Sequence, residues 1–95
     1  MQNEKDVIEI PYEVLFSKIS LQSKIMYGVI KKNKGKNKFT TITNKELSEI
    51  LELSTRTITR CISELEQNEF IFTKIINGNI RVIQFRYLIH YKVQQ

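Results

Sequence analysis

The sequence predicts an α+β fold: a three-helix core with a C-terminal β-hairpin and a short N-terminal strand. Three observations lead there. Apolar residues recur at helical spacing in three separate stretches. The second and third stretches meet at a very short polar turn, and the dipeptide Asn77-Gly78 then separates two runs rich in strand formers. With 95 residues, 41% of them hydrophobic, there is apolar material for one core and not for two, so residues 1–95 are read as a single domain.

Val7-Ile8-Glu9-Ile10 reads as the short strand, and Pro11 suits the first position of a helical turn from Tyr12 to Phe16, where its missing N–H costs nothing. Ser20 is placed to cap the next helix, Leu21 to about Lys32, whose expected buried stripe is Leu21, Ile25, Met26, Val29 and Ile30. The Lys/Asn/Gly segment 31–38 ends it. Phe39-Thr40-Thr41-Ile42 is a short β-type run leading to Thr43 and Glu46, which have the spacing of a reciprocal capping box. The helix starting there carries Leu47, Ile50 and Leu51 on one face and stops near Leu53. Ser54 then caps a further helix, about Thr55 to Asn68, with Ile58, Cys61, Ile62 and Leu65 on its buried side.

Residues 70–86 form the hairpin, since Asn77-Gly78 suits the two positive-φ positions of a type I′ turn. A two-residue loop sets Phe70 against Phe85, Phe72 against Ile83 and Lys74 against Arg81, whereas a three-residue loop sets Phe72 against Gln84. The shorter loop makes the better cross-strand pairs and is the one expected. The tail 87–95 is apolar and aromatic, and both strand and helix are open for it.

In this order of elements the chain resembles the winged helix-turn-helix superfamily, with the helix-turn-helix about 43–68 and the wing about 70–86. Leu53 to Ile71, LSTRTITRCISELEQNEFI, carries the likeness: a polar cap, an Arg-Thr pair, an aliphatic, an Arg, then aliphatics leading into the wing. Ile19 to Ile30, ISLQSKIMYGVI, is similar to the first helix of winged domains in replication initiators and related proteins of Gram-positive plasmids and phages. Marking a transfer origin for a plasmid relaxosome resembles the role of small TcpK-like winged accessory proteins of conjugative clostridial plasmids, and the AT-rich composition is compatible with it. Glu69 departs from the pattern by standing where such domains usually have a Gly, and Asn68 is expected to supply the left-handed stop.

The resemblance implies sequence-specific binding of double-stranded DNA by a mobile-element protein that marks a plasmid transfer or replication origin or a promoter. A homodimer on a repeated site is implied as well, with a relaxase or replication complex as a further partner. The alternative is a winged-helix protein-docking module without direct DNA binding, which exposed apolar residues on the helix about 55–68 would favour. RNA is the weaker partner, because no exposed aromatic set offers base stacking.

A formal charge of +5 and a pI near 9.4 favour a polyanionic partner. The absence of alanine and the abundance of Ile, Lys and Asn are what an AT-rich coding sequence produces in any case, so the placement of charge decides. Lys31, Lys32, Lys34, Lys36 and Lys38 crowd one loop, and most acids lie in residues 4–13 and 46–69. No apolar run has membrane-spanning length and the N-terminus is too polar for a secretory signal, so a cytoplasmic location is expected. One cysteine, Cys61, and one histidine, His90, give no internal disulfide and no Cys/His metal site within one chain. Without paired carboxylates, a phosphate-binding Gly loop or a nucleophile-base arrangement, no catalytic residue, cofactor or small-molecule substrate is expected.

The exposed first turn of the helix about 55–68, Ser54, Thr55, Arg56 and Thr57, offers N–H groups, hydroxyls and a guanidinium suited to phosphates and base edges. Arg56 and Arg60 are the expected base readers, with Thr59 and Ser63 beside them; the plainer reading has both arginines solvating the helix and Arg60 paired with Glu64. On the wing, Lys74 and Arg81 repel one another unless a phosphate lies between them, and Asn77 and Asn79 add short polar groups; the plainer reading splays both cations into water. Lys36, Lys38 and Lys45 are candidate backbone contacts, or for the loop merely a solvated connection. Cys61 is expected in the core. Tyr87, Leu88, Ile89 and Tyr91, more apolar surface than so small a core can cover, are the expected dimer surface, with His90 among them.

Overall fold

The computed structural model describes residues 7–86. Pro11 opens a one-turn helix, α1 (Tyr12–Leu15), its carbonyl accepting from Val14 and Leu15 at 3.0 and 2.9 Å. Ser20 caps α2 (Leu21–Lys34) by accepting from the Ser23 N–H at 3.2 Å. Thr43 and Glu46 form the expected capping box at the start of α3 (Asn44–Leu51), with both reciprocal bonds present. A short turn leads to Ser54, which accepts from Thr57 at 3.1 Å and caps α4 (Thr55–Gln67). Two antiparallel strands follow, β1 (Ile71–Ile76) and β2 (Ile80–Phe85). This is a compact α+β winged helix: helices packed on one another, with the hairpin laid against them.

Val7 to Ile10 do not form the expected strand. The outer edge of β2 is taken by Thr40, which exchanges two backbone hydrogen bonds with Ile83 at 3.1 and 2.8 Å. The N-terminal residues instead cross α2 at Gly28, where an added Cβ would meet Ile8 Cδ1 at 3.1 Å and Ile10 Cγ1 at 3.2 Å. Glycine lets the two segments touch.

The buried stripe of α2 is also rotated from the expected one. Met26 and Ile30 are in the core, but Ser23 and Tyr27 join them while Leu21, 68% exposed, and Ile25 face outward. Ser23 turns inward to reach a carboxylate on α4, and Tyr27 fills the space under the hairpin, edge-on to Phe70 and Phe85 at 6.3 and 5.0 Å. On α3, Leu47 is buried and Leu51 partly so, but Ile50 is exposed, against expectation. Helix α4 buries Ile58, Cys61, Ile62 and Leu65 as its spacing predicts.

Helix α4 ends without the expected left-handed Asn68. Asn68 keeps φ −91° and its side chain donates to the Glu64 carbonyl at 2.8 Å, while Glu69 itself takes φ 63°. The Glu69 N–H reaches the Glu66 carbonyl at 2.9 Å and the Phe70 N–H reaches that of Leu65 at 3.0 Å, the two bonds of a Schellman stop.

The hairpin register differs from the expected one by a single residue. Ile71 pairs with Phe85, Phe72 with Gln84, Thr73 with Ile83, Lys74 with Val82, Ile75 with Arg81 and Ile76 with Ile80, so the loop is Asn77-Gly78-Asn79. Asn77 and Gly78 do take positive φ. The core sets the register: Ile71, Ile83 and Phe85 must share the face that meets the helices, and only this pairing puts them there, leaving Phe72 on the outer face, 48% exposed. Among the described residues, no helix is long and apolar enough to cross a membrane. The tail, with Tyr87, Leu88, Ile89, His90 and Tyr91, lies outside the described residues.

Candidate nucleic-acid interface

The outward side of α4 presents Arg56, Thr59, Arg60 and Ser63, and its capped first turn adds Ser54, Thr55 and the half-buried Thr57. Arg56 is exposed and unpartnered among the described residues. Arg60 does not pair with Glu64; its Nη2 donates to Gln22 Oε1, on the first turn of α2, at 2.6 Å. Glu64 is occupied elsewhere. Its carboxylate accepts from the Ser23 hydroxyl at 2.5 Å, the Ser20 hydroxyl at 2.9 Å and the Ser20 N–H at 3.2 Å, tying α4 to the start of α2. The Ser23 bond is the main reason its pKa lies below the ordinary carboxylate value; burial opposes that, and Ser20 and the charge of Arg60 add to it.

Thr59 is held from two sides, donating to the Thr55 carbonyl at 2.9 Å and accepting from the Asn44 amide at 3.2 Å. Asn44 opens α3, so this contact sets the angle between the two helices of the helix-turn-helix. Lys45 stands exposed next to it.

Arg81 is not placed beside Lys74. In the observed register it faces Ile75, and its half-buried guanidinium turns toward the helices, donating to Asn44 Oδ1 at 2.5 Å and to the Ile42 carbonyl at 2.6 Å. Its Nε is buried and makes no hydrogen bond among the described residues. Burial pushes its pKa below the usual guanidinium value, and the negative charge of Glu66 works the other way. Glu66 in turn accepts from the Thr73 hydroxyl on β1 at 2.6 Å, a second tie between wing and α4. Lys74, Asn77 and Asn79 remain exposed, together with Ile75, Ile76 and Ile80 near the wing tip.

Lys36 and Lys38 are not brought to this surface. They follow the C-terminal end of α2, where Lys34 lies over the Phe85 ring at the foot of the wing. Gln22 and Asn44, both in the network around α4, escaped the sequence reading. Their partners lie 38, 37 and 15 residues away, and no local spacing reports such contacts.

The arrangement is a convex helix with hydroxyls and two guanidinium groups on its free side, braced by α3, α2 and the wing. Such a helix fits a major groove, and a family profile described as winged helix-turn-helix DNA-binding matches residues 41–71. The matched stretch is the helix-turn-helix itself. It runs from Thr41, two residues before the α3 cap, to Ile71, the first residue of β1. The match supports DNA binding by a winged helix. No curated protein and no solved structure matches the chain.

Proposed function

We propose that the chain is a sequence-specific double-stranded DNA-binding protein of a mobile element, one that marks a transfer or replication origin or a promoter. The observation that carries this is the outward face of α4: it holds Arg56 and Arg60 among hydroxyl side chains, and none of the exposed large hydrophobic residues lies on it. A protein-docking helix needs apolar anchors there, so the face favours DNA over a protein partner.

In this reading Arg56 and Arg60 contact base edges, with Thr55, Thr57, Thr59 and Ser63 beside them. The N–H groups at the start of α4 and Lys45 meet phosphates. Lys74, Asn77 and Asn79 bring the wing to the adjacent backbone or minor groove, and Arg81 braces the wing from within. The protein acts as a homodimer through Tyr87, Leu88, Ile89 and Tyr91, needs no cofactor, and hands its site to a relaxase or replication complex. Selection of bound fragments from random duplexes tests the reading. A recurrent motif with two half-sites at fixed spacing is the expected result, and recovery of unrelated sequences would overturn it.

A further inference from the structure

Between Glu13 and Glu46 the chain has no acidic residue, and this stretch holds eight of the fifteen basic ones. Outside it, acids outnumber bases. The positive charge of the protein therefore belongs chiefly to α2 and the loop that follows, not to α4 or the wing. It gathers at one end: Lys31, Lys32 and Lys36 line a concavity with Gly28 and Gly35, in which Glu9 is the single acid among the described residues. Lys32 Nζ donates to the Val7 carbonyl at 3.1 Å and Lys34 Nζ to that of Asn37 at 2.8 Å, neither of which neutralises charge. Lys36 and Lys38 have no partner among the described residues. A helix C-terminus attracts cations within its last turn, but α2 stops at Lys34 and the basic run continues past it.

This end lies apart from the outward face of α4 and from the wing tip. Helix α2 begins beside Arg60 and rises about 21 Å over its 14 residues before reaching Lys34. From the foot of the wing, where Lys34 meets Phe85, β2 runs about 17 Å outward to the tip at residues 77–79. We propose that the lysine end is a second nucleic-acid surface, which holds the phosphate backbone of a second duplex while α4 and the wing occupy the first. The inference rests on the reading of α4 as the first site. Ammonium groups on flexible stems, spaced by Gly and Asn, meet repeating phosphates of any sequence rather than one docking geometry.

Titration of the ¹⁵N-labelled full chain with its selected duplex tests this. Amides of α4 are expected to shift over the first equivalent, and those of residues 35–38 only as further duplex is added, in a second phase that weakens steeply with salt. Replacing Lys31, Lys32, Lys36 and Lys38 together by Gln is expected to weaken the second phase at least about tenfold, through lost counterion release, and to leave the first nearly unchanged. Shifts at 35–38 within the first equivalent, no shift there in excess duplex, or a second phase that survives the four substitutions would each overturn the proposal. The Arg56→Ala/Arg60→Ala variant separates the two readings. Loss of the first phase alone supports both, whereas an intact first phase means that α4 is not the first site while the second phase still reports on the lysine end.

Discussion

Arg81 on β2 and Asn44 at the start of α3 are joined by a hydrogen bond of 2.5 Å, and the amide of the same Asn44 reaches Thr59 on α4 at 3.2 Å. Wing, α3 and α4 are thereby linked through one asparagine. A second Arg81 bond, to the Ile42 carbonyl, anchors the guanidinium to the chain entering α3. The angle at which the wing stands beside the recognition helix is thus set by a half-buried cation, and the sequence pattern had assigned that cation to DNA.

Arg81→Ala is expected to lower stability by about 1.5–3 kcal/mol in urea unfolding, because charge-assisted bonds are lost and an acceptor beneath the wing is left unpaired. The salt dependence of DNA binding by the folded variant should stay as it was. Unchanged stability together with a shallower salt slope would return Arg81 to the DNA surface.

Lys74→Thr separates the observed register from the two-residue loop. Lys74 faces Val82, so no like-charge pair is relieved and stability should change by no more than about 0.5 kcal/mol. The log–log salt slope of binding should become shallower by about one, as for one phosphate contact. A gain well above that stability range would show that Lys74 and Arg81 crowd each other after all.

Glu69 holds φ 63° at the end of α4, a conformation that costs a side-chain-bearing residue energy and glycine none. Its ion pair with Arg86, at 3.3 Å, is exposed and weak. Glu69→Gly is therefore expected to raise stability, by about 0.5–1 kcal/mol, measured as a higher urea midpoint with an unchanged slope. Destabilisation would mean that the Arg86 contact outweighs the backbone term.

The lowered pKa of Glu64 makes stability pH-dependent in a known direction. A carboxyl that binds its proton less readily when folded contributes stability above its unfolded pKa, near 4.3, and that contribution is lost as pH falls through the lower folded value. Wild-type protein should lose stability on acidification through this window more steeply than Glu64→Gln, which has no proton to bind. Parallel curves for the two proteins would show that the Ser20 and Ser23 bonds do not select the ionised form.

What was legible in the sequence was local. Ser20, Thr43 and Ser54 act within three residues of themselves, and their caps form as their spacing predicts. The buried stripe of α4 was equally plain, because its apolar residues are spaced for one face and polar ones fill the other. The stripe of α2 was not, since a serine was drawn inward by Glu64, 41 residues away. Nor was the hairpin register: apolar residues occur on both faces of both strands, so either pairing looks acceptable until Ile71, Ile83 and Phe85 are required to meet the helices together. Lys74 followed that error, because a slip of one residue in β1 carries it from the face of Arg81, Ile83 and Phe85 to the opposite one.

In the proposed function Arg56 and Arg60 read bases. Affinities of Arg56→Ala and Arg60→Ala for the selected duplex and for a random one, at a single salt concentration, test it most directly. Each substitution is expected to cost about 1–3 kcal/mol on the selected duplex and much less on the random one, narrowing discrimination between them. Equal losses on both duplexes would make the arginines phosphate contacts, and no loss on either would remove α4 from the interface.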